Sequence, residues 1–101
     1  MLEFFTTVSS KAVCQRIANS LMAEKLAVCV SFWKVSSVYR WNGKVCKIGE
    51  WMLCVKTSEK LGGQVGKRIK ALHSYKLPVI TVTPVKVGSD VEKWVEQCTK
   101  K

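Results

Sequence analysis

The chain has 101 residues, of which 48% are hydrophobic and 24% charged, and it carries a formal net charge of +10. That length suits one domain, expected to run over 1–101, and the apolar content excludes a disordered polyelectrolyte. No apolar run approaches the roughly 20 residues of a membrane-spanning helix, and the scattered excess of Lys and Arg points to anionic partners or a solvated basic surface.

Leu2 to Val8 is rich in strand formers and predicts a first β-strand. Its start, Met1-Leu2-Glu3-Phe4, lacks a basic leader and a cleavage site, so a cytoplasmic location is expected. Ser9 or Ser10 is placed to cap a helix. Val13, Cys14, Ile17, Ala18 and Leu21 then recur at helical spacing over Lys11–Lys25. Ala27–Trp41 reads as a second strand whose alternation changes phase between Val28-Val30-Phe32 and Val35-Tyr39-Trp41. A bulge near Trp33-Lys34 would reconcile the two halves. Asn42-Gly43 predicts a tight hairpin turn, because both residues tolerate positive φ. The returning strand is predicted over Lys44–Lys56, with a second bulge at Gly49.

Thr57 or Ser58 is expected to cap a second helix with Leu61, Val65, Ile69 and Leu72 on its core face. Gly62, Gly63 and Gly66 each weaken it by about 1 kcal/mol relative to Ala, or allow close packing on the sheet. His73–Pro78 reads as a loop. Val79–Val87 reads as a fourth strand, which Pro84 confines to an edge because it donates no ladder hydrogen bond. Ser89 or Asp90 is then expected to cap a short last helix with Val91, Trp94, Val95 and Cys98 on its apolar side.

Two β-α-β units joined by a hairpin give an α+β, ferredoxin-like βαββαβ sandwich with a C-terminal helix. The hairpin arms would reach roughly 45 Å at ~3.3 Å per residue, far beyond an ordinary strand. An arm carrying Trp33, Tyr39, Trp41 and Trp51 is expected to be clasped by neighbouring subunits.

The topology hosts many functions, so the site must decide among them. An RNA-recognition domain would carry stacking aromatics on its third strand, whereas this strand reads Lys47-Ile48-Gly49-Glu50-Trp51-Met52-Leu53-Cys54, so nucleic acid is not the expected partner. A soft-metal carrier would place paired thiols on the first loop, where Thr7-Val8-Ser9-Ser10 offers none. The five cysteines, Cys14, Cys29, Cys46, Cys54 and Cys98, form no CxxC. Cys29 and Cys54 sit in apolar runs and read as small buried hydrophobes. No phosphate loop, dinucleotide fingerprint or nucleophile–base pair marks an enzyme.

Several segments together resemble the CutA divalent-cation tolerance family. They are Thr6-Thr7-Val8-Ser9, Ala23-Glu24-Lys25-Leu26-Ala27-Val28-Cys29-Val30, Ser37-Val38-Tyr39-Arg40-Trp41-Asn42-Gly43, Val55-Lys56-Thr57, Leu72-His73-Ser74-Tyr75-Lys76-Leu77-Pro78 and Trp94. The resemblance covers nearly the whole chain. It implies a ferredoxin-like subunit, a homotrimer built by long hairpins, kinship with the PII regulatory trimers and tolerance of copper or another divalent cation. It implies no catalysis.

The family commonly has His-Pro-Tyr-Glu-x-Pro-Glu, and this chain departs from it at Ser74, Lys76 and Val79. Two carboxylates are thereby missing and one has become a cation, so His73 alone remains there as a candidate metal ligand. The basic replacement points instead to a small anionic or aromatic ligand in a cleft formed by Tyr39, Trp41, Lys56, His73, Tyr75 and Lys76. These aromatics would also suit a subunit interface.

Overall fold

A computed structural model describes residues 1–100. Lys101, the last of the basic tail, lies outside the described residues. The elements run β1 (Leu2–Val8), α1 (Lys11–Ala23), β2 (Cys29–Trp41), β3 (Lys44–Thr57), α2 (Gly62–Leu72), β4 (Thr81–Pro84) and α3 (Ser89–Cys98). The four strands form one antiparallel sheet in the order β2-β3-β1-β4. This is the expected ferredoxin-like arrangement.

The core lies on one face of the sheet. Phe4 and Val8 of β1 and Leu53 and Val55 of β3 meet Val13, Cys14, Ile17 and Leu21 of α1 and Val65 and Ile69 of α2. Helical spacing on the two helices and alternation on the two strands put these side chains in one layer. Ser10 caps α1, its Oγ accepting a 3.3 Å hydrogen bond from the Val13 N–H. α1 ends two residues before the expected Lys25. There Lys25 turns left-handed at φ +56°, and the Leu26 N–H returns to the Leu21 carbonyl at 2.9 Å. That pairing satisfies carbonyls the last turn leaves open.

Thr57 does not cap the next helix. It is the last residue of β3, fully buried, and its Oγ1 donates to the Leu26 carbonyl at 2.6 Å. Ser58 precedes a short 3-10 turn, Glu59–Leu61, that leads into α2, and its side chain makes no capping bond. Of the three glycines, only Gly62 approaches the sheet closely. A Cβ there would lie 2.7 Å from Leu2 Cδ1, whereas one at Gly63 would meet nothing and one at Gly66 would touch the Phe4 ring at 3.5 Å.

Neither expected bulge is present. β2 pairs β3 without interruption from Cys29 opposite Lys56 to Trp41 opposite Lys44. What changes along the arm is which face is covered. Val30 and Phe32 pack under the helices, while Val35 and Ser37 are half-covered from the other side and Val38 to Trp41 are exposed. Trp51 belongs to the helix face, edge-on to Phe32 with Lys11 Nζ 5.9 Å from its ring centre, and so is not part of the bare arm. Asn42 and Gly43 make the turn at φ +51° and +76°. The hairpin sets the long dimension of a molecule measuring 46 × 25 × 21 Å.

β4 is shorter than the predicted Val79–Val87. It is an edge strand, as Pro84 requires, and Pro84 stands opposite Leu2 at the start of β1, so little sheet remains to pair with. α3 starts after Gly88 without a side-chain cap. Only Val95 of its expected apolar stripe is buried; Trp94 and Cys98 are exposed, because α3 sits at the rim of the core. Cys54 is buried as expected, but Cys29 is half-buried, with Sγ 3.8 Å from Ser31 Oγ.

Candidate functional site

β1 stops at Val8, opposite Trp51, while β3 continues outward to Lys44. The strand position beside the outer hairpin is therefore vacant, and the loop after α2 descends into it. Ser74 Oγ accepts from the Ser9 N–H at 3.3 Å and pins the loop to the end of β1. Between this loop and the face of the hairpin away from the helices lies a cleft of about 600 Å³. Ser37, Tyr39, Arg40 and Trp41 line it from β2, Ile48 and Glu50 from β3, and Tyr75, Lys76, Leu77 and Val79 from the loop.

Glu50 is the least expected member. It is only 6% exposed, on the same face of β3 as Met52 and Cys54, and the Tyr75 hydroxyl donates to its Oε1 at 2.8 Å. A carboxylate this deep demands a donor, because burying an unpaired charge is costly. Burial, with the neighbouring Glu50 carboxylate, pushes the Tyr75 hydroxyl up to about 12. It therefore stays a donor across the physiological range. The sequence held one signal for Glu50: an acid at an inward alternation position among Trp51, Met52, Leu53 and Cys54.

His73 holds the loop rather than the cleft. Its Nδ1 accepts from the Tyr75 N–H at 3.1 Å, which leaves the proton on Nε2 to donate to Thr6 Oγ1 at 2.9 Å. Its ring lies 5.2 Å from that of Tyr75. Burial holds the imidazole below its usual pKa, in keeping with a neutral ring. Both nitrogens are engaged, so neither offers a free lone pair to a metal ion. Among the described residues no three His, Cys, Asp or Glu side chains converge on a point where a metal ion would sit. A divalent cation does not fit the donors of a single chain.

Four of the six expected cleft residues, Tyr39, Trp41, Tyr75 and Lys76, thus come together. His73 stands behind Tyr75. Lys56 pairs with Glu3 and Cys29 at the base of the hairpin, six residues from Glu50 and so about 20 Å away along the strand. It does not reach this cleft.

The family model described as "CutA1 divalent ion tolerance protein" matches residues 2–98. The divalent-cation tolerance protein CutA of Thermus thermophilus is 37% identical over 95 residues, 92% of each chain. The chloroplastic protein CutA 1 of rice is 36% identical over 98 residues, which are 95% of this chain and 55% of that one. The chain thus spans about half the length of such plant relatives and nearly all of the Thermus one. The crystal structure of CutA1 from Pyrococcus horikoshii superposes with a TM-score of 0.94 at 30% identity, covering both chains completely. That of the periplasmic divalent cation tolerance protein CutA from Archaeoglobus fulgidus reaches 0.91 at 31% identity. The Thermus and Archaeoglobus proteins are named for divalent-cation tolerance. On sequence and fold alike, the chain belongs to the CutA1 divalent ion tolerance family.

Proposed function

We propose that the chain works without catalysis, as a homotrimer of the divalent-ion tolerance type, whose hairpins clasp neighbouring subunits. The observation that carries this reading is the bare arm. Outside the cleft, Trp33 is 45% exposed, and Val38 and Val45 stand more open still, on a two-stranded ribbon that extends beyond the helices. Exposed aromatic and aliphatic side chains on both faces of one ribbon mark an interface. The relatives' names supply the functional class. Copper or another divalent cation is the ion this class brings, and because one chain lacks a set of ligands, the reading places the ion where subunits meet. Five free cysteines suit a reducing compartment such as the cytoplasm.

Sedimentation tests the assembly. A stable species of three times the 11.4 kDa chain mass is expected, and a stable monomer in dilute neutral buffer overturns the reading. Titration with copper and zinc tests the ion. Micromolar binding by the trimer is expected; binding that His73→Ala abolishes would place the ion at that ring instead.

A second reading has its own observation. Lys76 lines the cleft where the family pattern has a carboxylate, in a chain of net charge +10. This favours a PII-like trimer that senses a small anionic ligand in its clefts.

A further inference from the structure

Glu50 lines the cleft together with two cations, Arg40 and Lys76, and forms no ion pair with either among the described residues. Glu50 lies at the buried floor and Lys76 at the exposed rim. The walls between them are aromatic and aliphatic, with Tyr39 and Trp41 on one side and Leu77 and Val79 on the other. A carboxylate and cations that line one cleft without meeting leave room for a ligand that carries both complements.

We infer that the cleft binds a free α-amino acid with an aromatic side chain, its ammonium on Glu50, its carboxylate on Lys76 and its ring against Tyr39 and Trp41. This deepens the anionic-ligand reading above, keeping the ligand's carboxylate and adding an ammonium, and rests on it. A purely anionic ligand would meet the Glu50 carboxylate at the floor, where low polarity magnifies repulsion. A simple amine would leave Lys76 uncompensated. A zwitterion satisfies both. The Glu50 carboxylate has lone pairs beyond the one the Tyr75 hydroxyl uses, so it is able to accept from an ammonium as well. The Tyr75 contact fixes its orientation before the ligand arrives, which lowers the ordering cost of binding. A cleft of about 600 Å³ is of ordinary size for a small-molecule site and admits one such molecule.

The test uses the full-length protein and three probes in calorimetric titration: L-phenylalanine, phenethylamine, which lacks the carboxylate, and 3-phenylpropionate, which lacks the ammonium. Phenylalanine is expected to bind about tenfold or more tightly than either fragment, since each fragment leaves one buried or rim charge unanswered. Glu50→Gln, which keeps an acceptor for Tyr75, is expected to weaken phenylalanine about ten- to a hundredfold and to leave 3-phenylpropionate unchanged or tighter. Lys76→Ala should weaken phenylalanine and spare phenethylamine. If 3-phenylpropionate matches phenylalanine and ignores Glu50→Gln, the amino-acid inference falls while the anion-sensing reading stands. If phenethylamine matches phenylalanine, the role given to Lys76 falls and the inference with it. If none of the three binds at millimolar concentration, both the inference and the reading beneath it fall.

Discussion

The imidazole of His73 sits between two hydrogen bonds, one to the Tyr75 N–H and one to the Thr6 hydroxyl. Protonating Nδ1 would break the first of these. Burial holds the folded imidazole below the ordinary value of about 6.5, so the unfolded chain takes up the proton first. Stability from this residue is fully present above pH ~6.5 and is lost as pH falls through that value toward the folded one. The melting temperature is therefore expected to drop as pH falls below about 6.5, with a shallower drop in His73→Gln, as read by thermal unfolding on either side of that value. Tyr75 offers a second test at this scale. Tyr75→Phe removes the hydroxyl that answers the buried Glu50 carboxylate and is expected to cost about 1–3 kcal/mol in guanidinium unfolding. A change below a few tenths would mean that Glu50 finds other partners. Neither residue's role was legible in the chain. The motif His73-Ser74-Tyr75-Lys76 pointed to this loop, but the partners, Thr6 and Glu50, are 67 and 25 residues away from His73 and Tyr75 respectively.

Among the elements, α2 carries more glycine than a helix needs. Gly66 lies inside the helix with the Phe4 ring 3.5 Å from where a Cβ would stand, an ordinary contact. Gly66→Ala is expected to stabilise the protein by about 0.5–1 kcal/mol, by restricting the unfolded chain and adding helix propensity. Gly62→Ala should gain less, since Leu2 must turn aside from a Cβ at 2.7 Å. Unfolding midpoints of the two variants, compared under one condition, check the order. The hairpin teaches a related lesson. Its turn residues Asn42 and Gly43 declared themselves through their tolerance of positive φ. The phase change in β2 suggested a bulge, yet the ladder is unbroken. Alternation reports which side of a strand is covered, and here the cover passes from the helices on one face to the His73–Pro78 loop on the other.

Across the whole molecule, the fold leaves most of the positive charge uncompensated. Seventeen Lys and Arg stand against seven Asp and Glu. The side-chain ion pair Arg68–Glu24 joins α2 to α1, but it is partly exposed and worth little. Three chains in one assembly would triple the net charge of +10 and the repulsion among like charges. The melting temperature is expected to rise from about 10 mM to about 100 mM salt, as the screening length falls from roughly 30 to roughly 10 Å. A flat or falling trend in differential scanning calorimetry would count against a charge-strained assembly.

Strand and helix positions, the hairpin turn and the family were readable from the chain alone, because periodicity and turn chemistry act over a few neighbouring residues. Even the length of the exposed arm followed from counting residues at a fixed rise. The site was readable only in part. Tyr39, Trp41, Tyr75 and Lys76 were nominated by local motifs, but Glu50 looked like one more alternating residue, and Lys56 looked nearer than it is. Only the tertiary structure decided those placements. β1 ends seven residue pairs before the hairpin does, and the loop that fills the vacancy brings a hydroxyl onto a carboxylate that would otherwise be too costly to bury.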